Sequence, residues 1–248
     1  MTEPRSNSKS MVVARFLARA GVGSRRACEK LIGSGDITIN GETITTVTTR
    51  VDPETDEVYY RGNRLALQDA VYYLLHKPAG YTCSSHDDHA GKLAIDLLSV
   101  DDGVRVYSIG RLDRDSEGLL LFTSDGDMAH ALTHPSFEVP RIYSVDVEGT
   151  VTPAELARLE AGIEDKGEQL RANSAEIIQT KPNETRLRLA LTTGRNREVR
   201  RMIAHLRHDV RRLRRTAYGP IELGNFEPGF TRRLTAGEVE ALKKCTVP

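Results

Sequence analysis

From Val71 onward the chain carries five apolar runs, VYYLL, VRVYSI, GLLLFT, IYSVDV and TRLRLALT, with few helical stretches between them. Short runs of continuous or alternating apolar character bounded by turn residues read as strands. They outnumber the helices, so they do not fit the strict alternation of a doubly wound parallel sheet. The expected fold class is α+β, built on a mixed, mainly antiparallel sheet. Thr152-Pro153-Ala154-Glu155 is a capping box with proline at the first helical position, and Thr235-Ala236-Gly237-Glu238 is a second box; each starts a helix.

The first 66 residues follow another pattern. Beyond a polar stretch, 1–10, expected to be a disordered tail, Val12, Val13, Phe16, Leu17 and Ala20 recur at helical spacing until Gly21. Ser24 caps a second helix whose apolar face is Ala27, Cys28, Leu31 and Ile32, closed by Gly33 and Gly35. Ile37, Ile39 and Ile44 then flank Asn40-Gly41, a strong hairpin signal because both turn residues tolerate positive φ. Residues 11–66 are therefore expected to form a small helix-helix-hairpin domain, and 71–248 a second, larger one.

Several classes of protein are disfavoured by composition. No apolar run approaches the ~18 residues of a membrane span, and Met1 to Ser10 lacks an apolar signal core, so the expected location is cytoplasmic. Cys28, Cys83 and Cys245 are widely spaced, which argues against a disulfide framework and against a zinc site. The 35 basic residues are matched by 35 acidic ones, yet the charge is unevenly spread. Between Gly194 and Arg215 nine arginines (195, 197, 200, 201, 207, 211, 212, 214 and 215) face only Glu198 and Asp209. Arg15, Arg19, Arg25, Arg26 and Lys30 form a second cluster, opposed by Glu29. A guanidinium grips phosphate at two points, so local arginine patches in a neutral protein point to nucleic acid, with solvated helix faces as the alternative.

Gly110-Arg111-Leu112-Asp113-Arg114-Asp115-Ser116-Glu117-Gly118 puts three acids on a loop between two expected strands, a place where catalytic groups are held by rigid elements. From local composition alone an acidic turn held by Arg111 and Arg114 is the favoured reading. The histidine pairs 86/89, 130/134 and 205/208 each lack a third ligand at a recognisable spacing, which points away from a metal. Neither phosphate-binding glycine motif occurs, which disfavours a nucleotide cofactor.

GRLDRDSEGLLLFTSDGDMAHALTHPSFEVPRIYSV, LLHKPAGY and GRNREVRRMIAHLRHDVRRLRRTAYGPIELGNFEPG closely resemble the RsuA/RluB-type rRNA pseudouridine synthases, in that family's order over about residues 71 to 244. ARFLARAGVGSRRACEKLIGSGDITINGETI is similar to the alpha-L RNA-binding module that precedes the catalytic domain in this family. The resemblance implies a cofactor-free isomerisation in which uracil is cut from ribose at N1, turned, and rejoined through C5. It assigns the essential aspartate to Asp113, the base-stacking tyrosine and candidate proton acceptor to Tyr143, and the basic partner that keeps Asp113 ionised to Arg200. Arg111 is expected to hold the displaced base or backbone, and Arg195, Asn196 and Arg201 to contact substrate. Arg15, Arg25, Arg26 and Lys30 are expected to anchor RNA. Asp115 and Glu117 are assigned to loop structure, and Lys77-Pro78-Ala79-Gly80 to a stiff family turn. Arg141 stands where many members carry lysine.

The resemblance further implies ribosomal RNA or a ribosome assembly intermediate as partner, no membrane, a monomer, and no metal or cofactor. The Gly194–Met202 segment and the A-G-V-x-S-R-R segment look most like the large-subunit, RluB-like branch. Three other readings stand beside it: a small-subunit rRNA target, an inactive ribosome- or RNA-binding protein, and a hydrolase using the pair Asp113 and Asp115. Retention of Asp113, Tyr143 and Arg200 together argues against the inactive protein, and the pair lacks an evident water-activating partner.

Overall fold

The computed structural model describes residues 10–84, 91–100 and 104–246. The expected tail lies almost entirely outside them, as do His86 and His89. Two compact units are present: the first takes the described residues up to Ala70 together with 104 and 105, and the second takes 71–100 and those from Val106 onward.

The first unit contains β1 (Met11–Val12), α1 (Val13–Arg19), α2 (Arg25–Gly33), β2 (Ile37–Ile39), β3 (Glu42–Ile44), β4 (Arg50–Val51), β5 (Val58–Tyr60) and β6 (Asn63–Leu65). Ser24 accepts a hydrogen bond from the Ala27 amide at 3.2 Å and so caps α2. Asn40 and Gly41 both take positive φ, 51° and 87°, and register Ile37 against Ile44 across the β2–β3 turn. Val12 belongs to β1 rather than to the first helix. Ala27 is exposed; α2 buries Cys28 and Ile32, one turn apart, against Val13, Phe16 and Leu17.

The second unit contains β7 (Tyr72–Lys77), β8 (Tyr107–Ile109), β9 (Glu117–Thr123), α3 (Gly126–Thr133), β10 (Arg141–Glu148), α4 (Pro153–Ala161), β11 (Ile163–Asp165), β12 (Glu168–Leu170), β13 (Ser174–Lys181), β14 (Glu184–Leu191), α5 (Glu198–His205), β15 (Val210–Tyr218), β16 (Ile221–Glu222), β17 (Thr231–Arg233) and α6 (Ala236–Lys244). Both capping boxes are formed, at Thr152 with Glu155 and at Thr235 with Glu238. The main sheet runs β13-β14-β10-β15-β9-β7-β17, with β16 on β15 and β8 on β9. Every pairing in it is antiparallel except β15 with β9. The fold is thus α+β on a mixed, mainly antiparallel sheet. VRVYSI is strand only over Tyr107–Ile109, because Tyr107 already pairs with Thr123, the last residue of β9.

The parallel pairing of β15 with β9 joins two halves of the sheet that have separate cores. One packs α4 and α5 on β10, β14 and β15 through Leu156, Leu159, Leu187, Leu189, Met202 and Ile203. The other packs α3 and α6 through Leu132, Leu242, Leu119, Leu121 and Tyr218. At the seam Arg215 is in register with Gly118, whose φ is +109°. A Cβ at Gly118 would lie 2.6 Å from Arg215 N and closer still to Arg215 O, so only glycine lets the strands meet here. Arginines 211, 212, 214 and 215 therefore stand on a strand inside the sheet and not on a solvated helix face.

Candidate active site

A cleft of about 1020 Å³ opens at this seam. Its walls come from the loop before β9 (Arg111, Asp113), from β10 (Arg141, Tyr143), from the loop before α5 (Arg195, Asn196, Arg197) and from Arg215 on β15.

The Asp113 loop is braced from behind. Lys77, fully buried, donates through Nζ to Ser116 O at 2.6 Å and to Pro78 O at 3.0 Å. Burial is the main influence on this ammonium and pushes its pKa below the usual lysine value, against the raising effect of Cys83, Asp115 and Asp113 nearby. The Gly80 amide donates to Arg114 O at 2.6 Å, Arg114 Nε returns a bond to Gly80 O at 3.3 Å, and the Leu112 amide points at Cys83 Sγ at 3.4 Å. The Lys77–Gly80 turn thus holds the carbonyl skeleton of the loop, while the Asp113 side chain stays 29% exposed in the cleft. Glu117 pairs with Arg212 at 2.6 Å, away from Asp113.

The guanidinium that approaches Asp113 is not the expected one. Arg197 Nη1 lies 3.7 Å from Asp113 Oδ2 and 3.5 Å from Asp115 Oδ1. Arg200 Nη2 instead pairs with Asp115 Oδ2 at 3.1 Å, bonds Asp115 O at 3.3 Å, and sends Nη1 to Val210 O. Arg197 has positive φ, 49°, at the residue before α5, which turns its side chain out of the helical direction and toward the aspartates. Nothing in the sequence singles it out. Arg201, expected at the substrate, is committed elsewhere: its guanidinium pairs with Asp165 and, at 2.6 Å, with Glu168, so the β11–β12 hairpin has claimed its charge.

Arg111 lines the cleft from the loop before β9, and Arg195 and Asn196 line it together from the loop before α5. Their loop is shaped by buried Glu198, which accepts from Thr193 Oγ1 at 2.6 Å and from the Arg195 amide at 3.0 Å. Arg141 adds a staple, donating to Thr192 O, Thr193 O, Leu132 O and Tyr218 Oη. Sequence reading missed Glu198 as an organiser because an acid within an arginine run reads only as charge balance. In the first unit, Arg25, Arg26 and Lys30 are exposed on α2, and Arg15 on α1 is partly buried. Among the described residues no three His, Cys, Asp or Glu side chains converge as metal ligands. No helix among them is long and apolar enough to cross a membrane.

The family model described as RNA pseudouridylate synthase matches residues 71–205, and the S4 domain model matches residues 13–58. The ribosomal large subunit pseudouridine synthase B of Bacillus subtilis (strain 168) is 37% identical over 232 residues, covering 92% of this chain and 94% of that protein. A protein of Aquifex aeolicus (strain VF5), described as an uncharacterized RNA pseudouridine synthase, is 37% identical over 232 residues, covering 94% of this chain and 93% of its own. A crystal structure of a pseudouridylate synthase matches with a TM-score of 0.65 at 28% identity, covering 94% of this chain and 99% of that one. All the residues lining the cleft except Leu213 and Arg215 fall in the segment that the first family model spans, and the chain belongs to the RNA pseudouridylate synthase family.

Proposed function

We propose that this protein isomerises one specific uridine of large-subunit ribosomal RNA to pseudouridine. The observation that carries the reading is Asp113, presented on a loop braced by a buried lysine, with Arg197 beside it and Tyr143 on the facing wall of the same cleft. In the reaction the C1′–N1 bond breaks, the base turns, a C1′–C5 bond forms, the C5 proton leaves and N1 regains one. Nothing is oxidised or reduced. Ionised Asp113 attacks C1′ or assists elimination to a glycal; in either route the Arg197 guanidinium stands beside the carboxylate. Arg200 acts on it at one remove, by holding Asp115. Tyr143 offers a ring face to the base and a hydroxyl for the C5 proton.

Arg111, Arg195 and Asn196 meet the flanking nucleotides at the cleft. Arg15, Arg25, Arg26 and Lys30 anchor RNA through phosphates from the first domain, residues 11–66, while residues 71–248 carry the chemistry. The large-subunit target is favoured by the Bacillus subtilis relative. We place the protein in the cytoplasm, as a monomer acting on ribosomal RNA or on an assembly intermediate. Mapping pseudouridines in both ribosomal RNAs of a strain lacking the gene tests this: one large-subunit site should revert to uridine. Loss only from small-subunit RNA, or from neither, overturns the target.

A further inference from the structure

Arg215 is 1% exposed, yet it lines the cleft. Among the described residues the one hydrogen bond of its side chain runs from Nε to Leu119 O at 2.8 Å; Nη2 is buried with no partner. No carboxylate among them pairs with it. Its guanidinium carbon also stands over the face of buried Tyr218, 5.0 Å from the ring centre, and that of Arg141 lies 5.1 Å from the same ring. Arg141 spends its donors on three carbonyls and a hydroxyl, and Arg201 is neutralised by two acids. A buried cation without a counter-ion is costly, and a free donor on it more so. Such a group is retained where it meets charge that arrives with a ligand.

The register says which part of the ligand. Arg215 stands opposite Tyr143 on one side and beside Gly118 on the other, five residues after Asp113. It therefore lies between the strand that carries the base-facing tyrosine and the strand that follows the aspartate. A backbone phosphate would stay nearer the mouth, where Arg111 is exposed. The base of a nucleotide turned into the cleft is the part that would reach buried Arg215.

We propose that Arg215 is a further catalytic residue, whose unpartnered guanidinium N–H groups receive the negative charge on uracil as the C1′–N1 bond breaks. The bonding pair leaves with the base and spreads onto its carbonyl oxygens; Arg215 hydrogen-bonds one of these and transfers no proton. The pair is used again when C5 bonds to C1′. This inference rests on the pseudouridine synthase reading but not on which RNA is modified.

The test uses tritium release from C5-labelled total cellular RNA of a strain lacking the protein, which contains the target whichever RNA it is. Arg215→Met replaces a buried charge by an apolar chain of similar length and is expected to fold with an unlowered melting temperature. Its single-turnover rate at saturating RNA should fall about 10²–10³-fold, as when one donor to a developing anion is removed, with RNA affinity within about threefold of wild type. Arg215→Lys, which keeps the charge, should recover at least about tenfold of that loss. Turnover by Arg215→Met near the wild-type rate overturns the proposal. So does a loss of affinity with a shallower salt slope and unchanged turnover, the signature of a phosphate contact. Equal loss in both variants with lowered melting temperatures assigns Arg215 to structure and overturns it too. Tritium release by wild type combined with unaltered large-subunit RNA would sink the target reading alone.

Discussion

Gly118→Ala tests the seam on which the cleft is built. The added methyl would sit 2.6 Å from Arg215 N, against backbone that no rotamer change moves aside, and φ at this position is +109°. The dihedral costs about 1–3 kcal/mol and overpacking about 1–3 kcal/mol more. Taking about 4 kcal/mol in all, and about 2–4 °C per kcal/mol for a unit of 150–250 residues, melting should fall by roughly 10 °C. Gly167→Ala is the matched control: φ is +76° but nothing lies within 4 Å of the new methyl, so only the dihedral term, about 1 kcal/mol, applies. Thermal unfolding of both variants, followed by circular dichroism alongside wild type, separates the two contributions. A Gly118→Ala melting temperature no lower than that of Gly167→Ala would refute the close strand approach as the reason for this glycine.

Asp113→Asn keeps the size of the side chain and loses its charge, so RNA binding should persist while tritium release from C5-labelled RNA disappears; turnover near the wild-type rate would remove Asp113 from the mechanism. Glu238 is held at about 2, chiefly by its hydrogen bond from Arg232, so the stability it contributes is fully present above its unfolded value of 4.5 and is lost as pH falls from 4.5 toward 2. Wild type should therefore lose melting temperature across that window more steeply than Glu238→Gln, and parallel curves would contradict it. Removing residues 1–66 should leave a folded catalytic unit, which has its own two cores, with unchanged turnover at saturating RNA. Its binding should show a shallower salt dependence, by about 0.9 in logarithmic slope per lost phosphate contact on duplex RNA-like sites; equal slopes would rule out the anchoring role.

Much of the fold was legible because it depends on neighbours in the chain. The Asn40-Gly41 turn, the Ser24 cap and the two capping boxes need partners only two to four residues away, and each formed as read. The family, the order of its segments and the strand-rich second unit were likewise legible in local patterns. The unforeseen arginine placements share one cause. Arginine is long and tolerated in helix and strand alike, so the run from 195 to 215 carries no sign of where each charge ends. The tertiary structure turned Arg197 toward Asp113, gave Arg200 to Asp115 and Arg201 to Asp165 and Glu168, and buried Arg215 in the sheet. The burial of Arg215 follows from the parallel contact of β9 with β15, which brings Gly118 beside it. Closing so long a loop costs little more than closing a shorter one, so chain distance does not reveal the pairing; the fit of the two cores on either side of the seam decides it.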